Sequence, residues 1–174
     1  RIVGTEVNTL QKIFLRAWHK VTGEIIVDRK YFNAVKRDRS DGGIALKGDM
    51  MCGIVNREPH ISPKAVRQFY LHALDAAQDT IRLINPYLTL IPKVKKAIVR
   101  AVKRGVVVQI MVAEPSDIPL TPDCVFYNIN KLQKKGCQIW VYQPGFHHTK
   151  VIMVDGKFCT VGSTNLDARS LKCD

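Results

Sequence analysis

The chain has 174 residues, and its 27 lysine and arginine residues exceed its 15 aspartate and glutamate residues to give a formal net charge of +12. A chain of this length can bury roughly two thirds of its unfolded surface, so it can form a domain with its own core. The excess of positive charge indicates anionic partners, either acidic phospholipid headgroups or nucleic acid, and does not choose between them.

Several classes of protein are excluded by what the sequence lacks. The five cysteines contain no Cys-x-x-Cys pair and the five histidines show no metal-ligand spacing, so we expect no structural metal, no disulfide framework and a reducing compartment. The longest nearly apolar run, residues 106–113, is far shorter than the roughly 20 residues of a membrane-spanning helix. Because the chain starts at Arg1 without a signal-peptide pattern and stops soon after its main motif, we expect a fragment of a longer protein.

Hydrophobic periodicity predicts a helix over residues 6–20, ended near Gly23, as part of an N-terminal segment 1–23. Residues 24–49 are rich in charge and glycine and are interpreted as a surface excursion. The main domain is expected over 50–174, beginning with a short strand at 50–55.

Helices and strands then alternate: helix 62–78, strand 80–84, helix 92–104, strand 106–112, helix 123–135 and strand 137–142. The β-α-β-α-β order predicts an α/β fold with a parallel sheet and helices on both faces. The 92–104 helix carries six basic residues, and a solvated face explains them better than a lipid- or DNA-binding face.

The strongest functional signal lies in residues 146–165. Apolar runs at 151–154 and 158–161 flank Asp155-Gly156, a sequence typical of a β-hairpin. Because side chains alternate along a strand, His148 and Lys150 are expected to project from the same face. The hairpin therefore brings an imidazole and an ammonium group together.

Ser163 and Asn165 follow the second strand of this hairpin and add a hydroxyl and an amide. Such a group suits phosphoryl transfer, because His148 can attack phosphorus while Lys150, Ser163 and Asn165 hold the non-bridging oxygens. Asp155 is a further candidate catalytic residue, although an Asp-Gly turn explains it without chemistry.

Two more residues are candidates for the pocket. Tyr87 and Glu114 lie just beyond the carboxyl ends of successive predicted strands, where ligands bind in open α/β sheets.

The spacing His148-x-Lys150-x4-Asp155-x6-Gly162-Ser163-x-Asn165 resembles the signature of the phospholipase D superfamily. The wider sequence is similar to the C-terminal catalytic half of bacterial cardiolipin synthases, notably in the stretches 143–146 and 166–170. The resemblance covers most of the chain outside residues 24–48 and implies a phospholipase D-like α/β/α sandwich, with a mixed sheet whose parallel core is followed by a C-terminal antiparallel hairpin.

This resemblance also implies a reaction. Two such halves would each contribute one His–Lys motif, and phosphatidylglycerol would donate its phosphatidyl group to a histidine with release of glycerol. A hydroxyl of a second lipid would then displace the histidine, without a cofactor. Lys150, Ser163 and Asn165 would bind the phosphate, and whether His148 is the nucleophile or the acid stays open.

The partners implied are phosphatidylglycerol and either a missing N-terminal half or a second copy of the chain. The longer protein would be associated with the cytoplasmic membrane. Two other interpretations remain: a single-motif phosphodiesterase or nuclease active as a homodimer, and a non-catalytic module that binds anionic surfaces.

Overall fold

The computed structural model describes residue 2 and residues 4–32, 51–58, 61–114, 116–143 and 145–172. The chain divides into two units, residues 1–56 and 57–174. In the first unit, helix α1 (Glu6–Thr22) ends at Gly23, whose φ of 74° closes the helix in the left-handed conformation. The predicted strand at 50–55 is wrong, because the described residues 51–58 form no regular element. Most of the predicted excursion, 33–49, lies outside the described residues.

The second unit contains α2 (Ala65–Ala76), β1 (Thr80–Ile84), α3 (Pro92–Lys103), β2 (Val107–Ala113), α4 (Thr121–Gln133), β3 (Gln138–Tyr142), β4 (Val151–Val154), β5 (Phe158–Val161) and α5 (Ala168–Lys172). The α/β class is confirmed. The first helix of this unit starts at Ala65, three residues later than the sequence predicts, and the Ser62 hydroxyl before it accepts a hydrogen bond from the Glu58 amide at 3.2 Å.

The five strands form one mixed sheet in the order β3-β2-β1-β4-β5. Strands β1, β2 and β3 are parallel, whereas β4 runs antiparallel to both β1 and β5. The expected parallel core with a C-terminal hairpin is therefore confirmed. Since Ile84 pairs with Val151 and Val151 pairs with Val161, the carboxyl ends of β1–β3 share one sheet edge with the start of β4 and the end of β5. We call this edge the site edge.

Within the second unit, the described helices pack on one face of the sheet. Inward-facing Ile81, Leu83, Val108, Ile110 and Ile152 join one buried cluster with the apolar stripes of α2, α3 and α4. Burial of this apolar area is the main stabilising term for such a layer.

The opposite face of the sheet is more open. It carries a cross-strand row in which Arg82 donates to Gln109 at 3.0 Å and Gln109 donates to Gln138 at 2.9 Å. Trp140 on this face is 56% exposed. The second helix layer expected from the β-α-β order is thus not formed by the described part of residues 57–172.

Candidate active site

His148 and Lys150 stand at the site edge, immediately before β4. The imidazole of His148 is exposed, whereas the Lys150 side chain is only 5% exposed. The Lys150 ammonium donates a hydrogen bond to the His148 carbonyl at 2.8 Å. The main chain therefore fixes the position of the lysine beside the histidine, and the two predicted residues lie together.

Negative groups near the Lys150 ammonium offset part of the cost of its burial. Burial lowers the pKa of Lys150, and the nearby carboxylates of Asp117 and Asp167 act in the opposite direction. Its Nζ also lies 5.7 Å from the centre of the Tyr87 ring, within range of a cation–π interaction. A charge held this way costs little reorganisation when it meets an anionic ligand.

Tyr87 is the residue that links these groups. It lies in the segment after β1 and is 7% exposed, and its hydroxyl donates to Asp117 Oδ1 at 2.5 Å. Burial, together with the hydrogen bond to Asp117 and the charge of that carboxylate, raises the pKa of Tyr87 to about 12. Tyr87 therefore remains a neutral hydrogen-bond donor, and Asp117 anchors it on the sheet edge.

The rings of Tyr87, Phe146 and His148 form an aromatic cluster. The centroids of Tyr87 and His148 are 5.6 Å apart in an edge-on arrangement, and those of Phe146 and His148 are 5.8 Å apart. Such contacts favour this orientation of the imidazole. By contrast, His147 points elsewhere and packs against Tyr142 at 5.4 Å.

Ser163 and Asn165 follow β5 and reach the same edge of the sheet, where the Gly162 amide donates to the Lys150 carbonyl at 3.4 Å. Ser163 is exposed. The Asn165 Oδ1 atom is buried and has no hydrogen-bond partner in the described part of the chain. Because buried polar atoms are normally paired, an unpaired amide oxygen marks a position that a ligand or a water can satisfy.

Asp155 lies at the other end of β4, and the structure does not bring it to His148. Five residue steps separate it from Lys150, about 16 Å along a strand. Its carboxylate accepts hydrogen bonds from the amides of Gln78, Asp79 and Thr80 at 3.0, 2.9 and 2.8 Å. Asp155 therefore ties the tip of the hairpin to the start of β1. The φ angles of 53° and 65° at Asp155 and Gly156 are those of a type I′ turn.

This geometry predicts that Asp155 contributes to stability. The three amide hydrogen bonds lower the pKa of its carboxyl group, led by the bond from Thr80. Asp155→Ala should lower the Tm by about 3 °C or more, because three amides lose their acceptor. Asp155→Asn, which tolerates the positive φ and keeps one acceptor, should lower it less.

The lowered pKa of Asp155 also predicts how the stability difference between the wild type and Asp155→Asn changes with pH. Since the folded-state pKa lies below the unfolded value, the advantage of Asp155 over asparagine is present above the unfolded pKa and is lost as pH falls through the folded pKa. Thermal unfolding of the wild type and Asp155→Asn across this acid range measures the difference. An advantage that persisted at the lowest pH would contradict the assignment.

Glu114 follows β2 at the site edge, where its amide donates to the Tyr142 carbonyl at 3.0 Å, and its side chain is exposed.

Asp117, Phe146 and Asp167 were not among the candidate site residues of the sequence analysis. Asp117 lies in one of the stretches that resemble cardiolipin synthases, but its role at the site is seen only in the structure, through its hydrogen bond with Tyr87 and its charge near Lys150. Asp167 accepts the Ser170 amide at 2.6 Å as the cap of α5.

Two kinds of feature were sought among the described residues: side-chain clusters that could bind a metal ion, and helices that could span a membrane. Among those residues, no group of three or more histidine, cysteine, aspartate or glutamate side chains could hold a metal ion. No helix within them has the length and apolar character to span a bilayer.

Comparison with known proteins connects this geometry to a family. The family described as "Cardiolipin synthase, PLD-like domain" matches residues 70–174. A probable cardiolipin synthase of Bacillus subtilis, YwiE, is 29% identical over 172 residues, which cover 99% of this chain and 33% of that protein. The cardiolipin synthase of Oceanobacillus iheyensis is 28% identical over 173 residues, covering 99% of this chain and 34% of that protein. The chain thus spans about a third of the length of these curated relatives.

A solved structure agrees with the fold. Nuc from Salmonella typhimurium, a phospholipase D family member, superposes with a TM-score of 0.56 at 27% identity, covering 64% of this chain and 71% of that chain. The resemblance inferred from the His–Lys spacing is confirmed by the family match, which covers every strand of the mixed sheet. The chain belongs to the family of cardiolipin synthase, phospholipase D-like domains.

Proposed function

We propose that this chain supplies one His–Lys site of a phosphatidyltransferase of the cardiolipin synthase type. The observation that carries the proposal is the exposed imidazole of His148 beside the nearly buried ammonium of Lys150. A nucleophile or acid that faces solvent next to a fixed positive charge suits an anionic phosphodiester. The substrate is phosphatidylglycerol, and the acceptor is the hydroxyl of a second lipid.

In the proposed reaction, a histidine nitrogen forms a bond to phosphorus while the bond from phosphorus to the glycerol oxygen breaks. The departing oxygen takes a proton from a second histidine, and glycerol leaves. The acceptor hydroxyl then gives its proton to that second histidine and attacks phosphorus, and the phosphorus–nitrogen bond breaks. Lys150, Ser163 and Asn165 hold the non-bridging oxygens, and Tyr87 and Glu114 line the approach to phosphorus.

One imidazole cannot perform both roles at once, because the nitrogen bonded to phosphorus has no lone pair left for the proton. His19 lies on helix α1 and His72 on helix α2, and neither belongs to a second His-x-Lys motif. The second histidine therefore comes from another half of the same protein or from a second copy of this chain. Under this proposal residues 1–23 lead from a first half, 24–49 form the excursion, 50–174 form the catalytic domain, and the whole works at the cytoplasmic membrane.

The test is phosphatidylglycerol turnover by the 174-residue chain, with its mass in solution measured by light scattering. A monomeric chain is expected to show no turnover. Activity should appear only when a second His–Lys site is present. We call the protein with both His–Lys sites, in one longer chain or in two copies of this chain, the active assembly. A chain that is strictly monomeric and still makes cardiolipin would refute the two-histidine mechanism.

Chelation provides a further prediction. The proposed charge neutralisation comes from Lys150 and the polar groups of Ser163 and Asn165, doubled in the active assembly, rather than from a divalent ion. Turnover should therefore stay within about twofold after dialysis against EDTA. Complete loss, restored by magnesium or zinc, would show that the donor set has been misassigned.

A second candidate function is hydrolysis of a nucleic-acid phosphodiester by a homodimer of this chain. The formal charge of +12 favours it, since a basic surface attracts nucleic acid as well as anionic lipid. Parallel assays of the active assembly on phosphatidylglycerol and on single- and double-stranded DNA separate the two functions. Turnover of DNA alone would replace the transferase proposal, and inertness towards both would favour a non-catalytic surface-binding module.

A further inference from the structure

A tight turn with two apolar side chains lies beside the candidate active site. The Thr121 amide donates to the Ile118 carbonyl at 3.3 Å, and the Ile118 amide donates to the Ser116 hydroxyl at 3.2 Å. Pro119 occupies the second position of this turn, and Leu120, with φ 64° and ψ −13°, has the conformation of the third position of a type II turn. We call residues 118–120 the apolar turn.

Leucine is an unusual residue at this position. A left-handed conformation favours glycine or asparagine, and a larger side chain there is strained. Burial of the side chain does not offset this strain, because Leu120 is 78% exposed. The neighbouring Ile118 is 48% exposed. An apolar side chain held outward at a strained position indicates a role that neither folding nor solubility explains.

The apolar turn is fixed close to the site. Asp117, which immediately precedes it, accepts the hydrogen bond from the Tyr87 hydroxyl. The ring of Tyr87 in turn contacts the ring of His148. A surface that engaged the turn would therefore lie beside the imidazole that faces solvent.

Basic side chains occur at the same edge of the sheet. Helix α3 begins at Pro92, shortly after β1 ends, and its first turn contains no acidic residue. Lys93 and Lys96 are exposed there. Lysines near the start of a helix are disfavoured by its dipole, so they too are not explained by the stability of the helix itself.

We propose that the apolar turn, together with Lys93 and Lys96, docks the domain onto the surface of a bilayer that contains anionic phospholipid. The aliphatic side chains would enter the boundary between headgroups and acyl chains while the lysines meet the phosphates. The choice of a bilayer over nucleic acid follows from Ile118 and Leu120, since two exposed aliphatic side chains find an apolar environment in a lipid layer. The inference rests on the proposed function in that the docked surface presents its headgroups to His148.

The test is co-sedimentation of the 174-residue chain with vesicles of phosphatidylcholine alone and of phosphatidylcholine mixed with phosphatidylglycerol. Ile118→Ser combined with Leu120→Asn should weaken binding to the mixed vesicles by at least about tenfold. Since asparagine tolerates the left-handed conformation, this variant should keep the wild-type Tm. Lys93→Gln and Lys96→Gln should each cost about fivefold on the mixed vesicles and little on phosphatidylcholine alone.

Val107→Thr is the matched control, because Val107 is an exposed aliphatic residue at the opposite end of the sheet. It should bind as the wild type does. Equal binding by the apolar-turn variant and the wild type would overturn the inference, as would absence of binding to mixed vesicles or binding to duplex DNA instead. His148→Ala, which cannot turn over, should still bind vesicles, so a failure of docking is distinguished from a failure of the proposed chemistry.

Discussion

Replacing His148 with alanine should reduce phosphatidyl transfer by the active assembly by at least about 10⁴-fold, because the variant removes either the atom that bonds to phosphorus or the acid that protonates glycerol. The fold should survive. His148 is exposed, and within the described residues its ring contacts are those with Tyr87 and Phe146, so the Tm should move by no more than a few degrees. Steady-state turnover with radiolabelled phosphatidylglycerol, together with a melting curve, measures both effects.

His72→Ala is the control for this substitution. His72 is also exposed, but it lies on α2 rather than at the site edge, so its loss should leave turnover near the wild-type rate. A His148→Ala variant that kept near wild-type activity and a normal melting curve would show that the chemistry belongs to other residues. Trapping a phosphorylated histidine in the wild type by acid-free quenching would further decide whether His148 is the nucleophile or the acid.

The position of the site could be predicted because it depends on local rules. Strand alternation predicts that His148 and Lys150 share one face, and the Asp-Gly turn pairs β4 with β5. The parallel order of β1, β2 and β3 then follows from their crossover helices. The structure agrees with the strand order and with the hairpin. His148 and Lys150 lie just before β4, and one is exposed while the other is buried, so strand alternation alone does not describe their placement.

The hydrogen bonds that hold the residues around the site could not be predicted from such local rules. The hydrogen bond from Tyr87 to Asp117 joins residues 30 positions apart, and Asp117 lies in a connecting segment without periodicity. Likewise, the bonds from residues 78–80 to Asp155 span more than 70 positions, so the sequence offered only the choice between a turn residue and a catalytic one. Such contacts depend on how loops settle on the folded sheet, which tertiary packing determines.

The strand expected at 50–55 shows that a short apolar run is not enough to predict a strand. Its apolar residues suggested a strand, yet the described residues 51–58 pair with no other strand. A short apolar run has little strand stability of its own, because a strand gains most of its free energy from the neighbour it pairs with.

Lys150→Met should lower the kcat of the active assembly by about 10²- to 10³-fold, which is the usual cost of removing one donor to a developing oxyanion. The effect should fall mainly on kcat rather than KM, since the ammonium binds the phosphoryl oxygens most strongly as charge develops on them. Methionine has a similar length and no charge to bury. Because Lys150 is only 5% exposed, its replacement by an apolar side chain should leave the Tm unchanged or raise it.

Two further variants make this prediction specific. Lys157→Met removes an exposed lysine from the same hairpin at the end remote from His148, and it should retain full turnover. Lys150→Arg keeps the positive charge but brings a wider, planar group to a position where the lysine side chain is nearly buried, so it should recover little activity. Loss of activity in Lys157→Met equal to that in Lys150→Met would mean that general surface charge, rather than one placed ammonium, drives the reaction. Full recovery by arginine would show that the buried position and the hydrogen bond to the His148 carbonyl are not required.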